Sequence, residues 1–349
     1  MENQDAKPPR RVRYTGKNPK TFNEKYKELQ PEKYAKDIEK IMAKGNTPAG
    51  MHRSICVNEI LEILQITPGQ VGLDATLGYG GHSHEMLKCL APGGKLFATD
   101  VDPFELPKTT ERLATLGFGP DVFFPRKMNF SNIDLIVHEA GLLHFVLADL
   151  GVSSMQIDNP DRGFSLKIEG PLDLRLNPKS GKSAAAFLKT ISEEELEEIL
   201  IENADEPYAA YIAEAIVLSL KKGRMIETTA QLKDIIKETL DFLPANDKID
   251  RIKKSCQRTF QALRIAVNDE FGVLDKFLEK LPDALVSGGK VAIISFHSGE
   301  DRRVKKAFQS LNRQGIYSSV APDPIRPTPQ EVGSNPRARS AKLRWAIKA

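Results

Sequence analysis

The sequence predicts an α/β protein in which a parallel sheet, covered by helices on both faces, is interrupted by an all-helical insertion. From Met51, short apolar runs alternate with amphipathic helical stretches, the rhythm of βαβ units. From about residue 160 to 257 no strand pattern appears. The alternation then resumes and closes on a pair of apolar segments near the C-terminus. A chain of 349 residues, 40% of them hydrophobic, is ample for one large domain or two smaller ones.

Residues 1–47 read as a basic extension, poorly ordered in its Pro-rich stretch KPPRRVRYTGKNPK. PEKYAKDIEKIMAKG then sets Tyr34, Ile38, Ile41 and Met42 at helical spacing, predicting one short helix that ends at Gly45. The core follows over residues 48–160. VNEILEIL is helical, VGLDAT a strand, HSHEMLKCL a helix and KLFATD a strand. A helix through LPKTTERLATLG, the strand DVFFP and the strongly apolar strand HFVLADL complete this half. The insertion, residues 161–257, holds three amphipathic helices: SEEELEEILIEN, EPYAAYIAEAIVLSLKKG and TTAQLKDIIKETLDFL. Their visible starts are Ser192 and Thr228 or Thr229. Residues 258–349 return to the core through FGVLDKFLEKLPDALVSGGKVAIISF, read as helix, Gly-Gly turn and strand. Ile316–Val320 and Lys342–Ile347 close the sheet as a final pair.

The net charge is only +3, but it is unevenly spread. Residues 1–50 carry 12 lysines and arginines against 7 acidic residues, and NPRARSAKLRWAIK is basic as well. Either these ends meet a polyanion or they are solvated tails. Cys56, Cys89 and Cys256 form no CxxC pair and no metal-ligand cluster surrounds them, so no metal is expected and a reducing compartment suits them. The polar N-terminus lacks a signal-peptide core, and no apolar run approaches the ~20 residues of a membrane span. The expectation is a soluble cytoplasmic protein with no membrane partner.

The stretch DATLGYGGHSHEM, residues 74–86, places Gly78, Gly80 and Gly81 between a strand and a helix. That is the geometry that holds a nucleotide-like ligand at the C-terminal edge of a sheet, although tight packing alone also uses glycine there. The pattern Asp74-x-x-x-Gly78-x-Gly80-Gly81 lacks the third glycine of the dinucleotide fingerprint. Asp100 ends the next strand, where a carboxylate accepts hydrogen bonds from ribose hydroxyls. The layout suits S-adenosylmethionine as well as it suits NAD.

Eight blocks, in order, then resemble the ribosomal RNA small-subunit methyltransferase H family, the MraW-type enzymes. They are DATLGYGGHS, NFSN, DLGVSSMQID, RGFS, GPLDLRLNP, RTFQALRIAVNDE, ISFHSGEDRRVKKAF and NPRARSAKLRWA. The resemblance runs from about His52 to the C-terminus. It implies a class I S-adenosylmethionine-dependent methyltransferase (Rossmann-like) core carrying a helical inserted domain for substrate recognition. The implied reaction is methyl transfer to the N4 amine of a cytidine in the decoding centre (P site) of 16S rRNA, with the small ribosomal subunit as partner. The oligomeric state, a homodimer included, is left open.

Position by position, the resemblance assigns Gly80, Gly81, His82, Asp100, Phe130, Asp149 and Gln156 to the cofactor, alongside Asp74 and Gly78 of the loop pattern. Phe130 either stacks on adenine or is a core phenylalanine. Asp149, ending an apolar strand, is the strongest catalytic candidate, with Ser153 or Ser154 assisting; an acceptor there turns the amine lone pair toward the methyl. Arg162 and Arg175, with Asp173, either shape a Gly/Pro-rich loop or contact RNA. Arg258 and Arg264 either pair within a core helix or meet phosphate. His297 is either structural or a substrate contact. Arg302, Arg303, Lys305, Lys306, Arg337, Arg339, Lys342 and Arg344 either form a phosphate-binding surface or are solvated singly. The family pattern FHSLED reads FHSGED here, with Gly299 in place of leucine. Two rival readings remain: an amino-methyltransferase on another nucleic acid, and a non-catalytic rRNA-binding assembly factor.

Overall fold

The computed structural model describes residues 54–349. The basic extension and its expected short helix lie outside the described residues. Seven strands are present: β1 (Val71–Asp74), β2 (Lys95–Asp100), β3 (Phe123–Lys127), β4 (Leu143–Asp149), β5 (Leu285–Ser295), β6 (Tyr317–Val320) and β7 (Lys342–Lys348). They form one sheet in the order β3-β2-β1-β4-β5-β7-β6. Strands β1 to β5 pair in parallel, and β7 is antiparallel to both β5 and β6. The chain winds from β1 toward β3 on one side and from β4 toward β6 on the other. The order therefore reverses between β1 and β4, and the crevice beyond their C-terminal ends is where such sheets bind ligands.

Strand residues alternate between two apolar layers, as the two-residue period of a strand requires. Val146, Ala148 and Ile293 face the layer built with the helices Ile133–Ala140, Glu270–Ala284 and Ser298–Arg313. Phe145, Leu147 and Ile294 face the layer built with Val57–Leu64, Gly81–Leu90 and Glu105–Thr115. Burial on both faces explains the near-continuous apolar run of β4.

The insertion has a hydrophobic cluster of its own, with Leu196, Leu200, Ile212, Ile216, Ile236 and Leu263 at its centre. Ser192 and Thr228 start their helices through capping boxes with Glu195 and Gln231. The helix Lys248–Asn268 runs unbroken across residues 257 and 258, where the insertion is expected to meet the core. Its apolar positions serve the insertion first; Asn268 then bonds back to Leu174 and Leu176 at the insertion's entry.

Two expectations need correction. The helix Ile133–Ala140 was not foreseen; its eight residues give too short a pattern to separate from a loop. The expected Gly-Gly turn at Gly288-Gly289 lies inside β5, where pairing with β4 slips from Leu143↔Leu285 to Phe145↔Lys290. Gly288, at φ +74°, accommodates that irregularity without ending the strand.

Candidate active site

The glycine loop leaves β1 and is braced from behind. Thr109 Oγ1 donates to the Gly78 carbonyl at 2.7 Å, and Arg112 donates to the Tyr79 carbonyl while lying over the Tyr79 ring at 3.4 Å. Gly80 has φ +76°, and a Cβ there would come 2.7 Å from Thr109 Cγ2. Only glycine meets both demands, so the loop packs closely on the helix behind it. The Gly78 N–H points forward and donates to Asp100 Oδ2 at 2.8 Å; the Asp102 N–H donates to Asp100 Oδ1 at 2.8 Å. This fixes the half-buried Asp100 carboxylate at the end of β2 with lone pairs to spare. Burial, above all, pushes its pKa up to about 6, against the pull of those two N–H groups.

Asp74 ends β1. It accepts from the Thr76 N–H at 3.1 Å and from Ser83 Oγ at 2.6 Å. Burial raises its pKa, only partly offset by Ser83 and by His82. Asp149 ends the neighbouring β4, and its N–H donates to Thr76 Oγ1 at 2.6 Å. Its Oδ2 lies 3.6 Å from His82 Nδ1, while Oδ1 is buried with no hydrogen-bond partner among the described residues. Burial lifts Asp149 to about 6, His82 opposes the rise, and Asp74 and Glu300 add to it. A buried carboxylate oxygen without a partner is costly unless a ligand completes it.

These features fit S-adenosylmethionine, the cofactor implied by the resemblance. Asp100 keeps acceptor capacity at the ribose position beyond its two N–H bonds, and Gly78, Gly80 and Gly81 leave the loop without side chains of its own at those positions. Phe130 is half-buried in a short 3₁₀ turn after β3, edge-on to Phe277 with centroids 5.1 Å apart. Its ring thus has a structural contact and a partly open side.

The structure sorts the remaining candidates. Ser153 caps the helix Ser154–Asp158: its Oγ accepts from the Gln156 N–H at 3.2 Å, and Gln156 Oε1 accepts from the Ser153 N–H at 2.9 Å. Ser154 is the first residue of that helix. Gln156 Nε2 then donates to Asp102 Oδ2 at 3.0 Å. Arg162, nine-tenths buried, donates to the same oxygen at 2.7 Å and to the carbonyls of Arg175 and Leu176. Arg162 is thus tied internally to Asp102 and to the loop that holds Arg175 and Leu176. Arg175 grips Asp173 through two bonds and the Gly181 carbonyl through a third, shaping its loop.

Asp102 was missed in the sequence. It is fully buried and receives four hydrogen bonds, from Phe104 and Glu105 N–H groups, Gln156 and Arg162. Burial alone would raise its pKa, but those bonds outweigh it and hold the carboxyl below its ordinary value. The usable signal was DVDPFE, an Asp two residues before the N–H groups that open a helix.

Beyond β5, His297 caps the helix Ser298–Arg313 through Nδ1 and sets Nε2 3.2 Å from Glu300 Oε1. Arg264 forms a two-bond pair with Glu270 at 2.8 Å each. Glu270, His297 and Glu300 bring ligand-type atoms within 4.8 Å of one another, a juxtaposition the sequence did not suggest. Arg264 already neutralises Glu270 there. A Cβ on Gly299 would lie 2.5 Å from Phe271 Cζ, so the departure from FHSLED makes room for that ring. Lys342 and Arg344 close on Asp301, and Arg337 closes on Asp158. Arg303 pairs with Asp275. Arg302 is exposed, 3.6 Å from Asp205. Among the described residues, Arg258 and Arg339 have no ion pair or hydrogen bond. Arg339 is exposed and Arg258 half-exposed.

A model of the MraW methylase family matches residues 49–349. "Ribosomal RNA small subunit methyltransferase H 2" of Alkaliphilus metalliredigens is 65% identical over 349 residues, covering all of both chains. "Ribosomal RNA small subunit methyltransferase H 1" of Lachnoclostridium phytofermentans is 64% identical over 348 residues, 100% of this chain and 95% of that one. A more distant relative, "Ribosomal RNA small subunit methyltransferase H" of Thioalkalivibrio sulfidiphilus, is 39% identical over 86% of this chain and 98% of its own.

Proposed function

The chain belongs to the MraW methylase family, and we propose that it methylates the N4 amine of a cytidine in the decoding centre of small-subunit ribosomal RNA. The fold is that of a class I S-adenosylmethionine-dependent methyltransferase, and S-adenosylmethionine is the methyl donor. The substrate reading follows the names of the relatives at 65% and 64% identity. The observation that carries the amine chemistry is the buried, unpartnered Oδ1 of Asp149 at the switch point of the sheet.

Bound at this rim, S-adenosylmethionine supplies a methyl group on a positively charged sulfur whose departure leaves a neutral thioether. The chain has little bond chemistry of its own to perform, so positioning dominates. Asp100 accepts from ribose hydroxyls, Gly80 and Gly81 let the loop close on the ligand, and Phe130 lines the adenine end. The target base leaves its stack to reach the crevice, at lower cost from a single-stranded rRNA segment. Asp149 Oδ1 accepts an N4 hydrogen, turns the amine toward the methyl and stabilises positive charge on nitrogen. Ser153 holds the following helix in place rather than touching the base, and Gln156 ties that helix to Asp102. Arg258, Arg302 and Arg339 meet the rRNA backbone.

Transfer of tritium from labelled S-adenosylmethionine to small subunits, followed by mass spectrometry of the nucleosides, tests this. The expected product is N4-methylcytidine in small-subunit rRNA, strongly reduced with Asp149→Asn. Label on DNA alone, or no label with a protein that binds subunits, would reject the reading.

A further inference from the structure

His82 lies below the amine-facing carboxylate in a setting that fixes where its hydrogens are. The side chain is only 8% exposed. Its Nε2 sits 2.9 Å from the Ile55 carbonyl, an oxygen that only accepts, so Nε2 carries a hydrogen. Its Nδ1 faces Asp149 Oδ2 at 3.6 Å. A neutral ring with this tautomer would present a lone pair to an ionised carboxylate, which is repulsive. A hydrogen on Nδ1 would turn this facing pair into an attraction at 3.6 Å.

We propose that His82 is a positioning residue for the methylation of the amine: as an imidazolium it keeps Asp149 ionised, leaving Oδ1 free to take the proton that the amine gives up. The proposal rests on the reading of Asp149 as the amine acceptor. In the step, the N4 nitrogen bonds to the methyl carbon, the carbon–sulfur bond breaks with its electron pair going to sulfur, and one N4 proton passes to Asp149 Oδ1. Proton, charge and bonds balance with no further reactant.

The groups facing Asp149 come from four elements. They are His82 on the helix Gly81–Leu90, Asp74 on β1, Glu300 on the helix Ser298–Arg313 and Cys56 ahead of the helix Val57–Leu64. Burial keeps the Cys56 thiol neutral, lifting it to about 12. Asp74 and Glu300 are acidic and oppose ionisation of Asp149, as burial does. Of these four, His82 is the one group whose charge, when protonated, favours the ionised form of Asp149.

Nitrogen NMR of the full chain with labelled histidine reads the pair directly. At neutral pH the wild type is expected to show hydrogens on both ring nitrogens of His82, identified by the signals lost in His82→Gln. Asp149→Asn is expected to leave hydrogen on Nε2 alone. A wild-type His82 with a single N–H would overturn the proposal; if His82→Gln does not fold, the signals that change in Asp149→Asn identify the ring. The second readout is the pH profile of single-turnover methyl transfer. A neighbouring opposite charge moves a carboxyl by about 1–3 units, so His82→Gln is expected to shift the acid limb upward by about one unit or more and to recover at high pH. Superimposable profiles would also overturn it. If the wild type left cytidine unmethylated, the functional reading would fail, while the NMR result would still decide the protonation of the pair.

Discussion

Two sets of carboxylates line the same rim and are treated in opposite ways. Asp74, Asp100 and Asp149 lie at the ends of β1, β2 and β4, and among the described residues none has a lysine or arginine in contact. Burial pushes all three pKa values up. Asp102, Glu300 and Asp301 are also buried, yet each is held below its ordinary value. Gln156 and Arg162 outweigh burial for the first, His297 and Arg264 for the second, and Arg344 and Lys342 for the third. The second set is complete and braces the loops. In the first set Asp149 Oδ1 has no hydrogen-bond partner among the described residues; under the proposed function, ligand hydroxyls complete Asp100 and an amine completes Asp149. Compensation, more than burial, separates structural charge from chemical charge here.

The comparison breaks most sharply at Asp149. Asp149→Asn is expected to slow single-turnover methyl transfer by ~10²–10⁴-fold, the usual weight of a proton acceptor, with no fall in melting temperature. An equal loss of rate and stability would put Asp149 in the bracing set. Arg162→Met tests that set from the other side. Removing one member of a buried pair destabilises by about 3–5 kcal/mol, so denaturant unfolding should show a loss of that size; a change below about 1 kcal/mol would mean that Asp102 is held by its N–H donors alone.

Asp100→Asn is expected to weaken S-adenosylmethionine about 10–100-fold in calorimetry, matching about 1.5–3 kcal/mol for hydrogen bonds to a charged group. It also sharpens the contrast through pH. Asp100 and Asp149 sit at about 6 against an ordinary value of 3.8, so the folded chain keeps protons that the unfolded chain has already lost. Their contribution to stability is thus largest below the unfolded pKa and declines as pH rises through about 6. Asp102, Glu300 and Asp301 run the other way, contributing above the unfolded pKa and losing that contribution on acidification. The two Asp→Asn variants should therefore gain stability relative to wild type more at pH 8 than at pH 5. The smallest effect belongs to Ser153→Ala, a lost helix cap of about 1 kcal/mol in thermal unfolding, with methyl transfer little changed. A rate loss far beyond that would mean that the hydroxyl touches the base.

Much of this rim was legible in the chain. Strand ends carry the chemistry of such sheets, so DAT, ATD and ADL flagged Asp74, Asp100 and Asp149 before any coordinates. The glycine loop stood out because few other reasons place three glycines in four positions. Arginine partners were not legible. Arg162 and Asp102 are 60 residues apart in sequence, and Arg344 and Asp301 are 43 apart. A sequence shows that a cation is present without showing which carboxylate folding sets beside it. That is why Arg162 and Arg264 stood as open choices between phosphate contact and internal pairing.

By itself the sequence determined the alternation of strands and helices, the helical insertion, the helix starts at Ser192 and Thr228, and the strand-end acids. Each is a local pattern set by side-chain period and backbone freedom, and folding has no means to rearrange it. Tertiary structure alone decided which charges are matched, that the helix Lys248–Asn268 joins insertion to core, that β5 absorbs its glycines, and that His82 meets Asp149. Those outcomes depend on distances between residues far apart in the chain, and desolvation gives such distances their energetic weight.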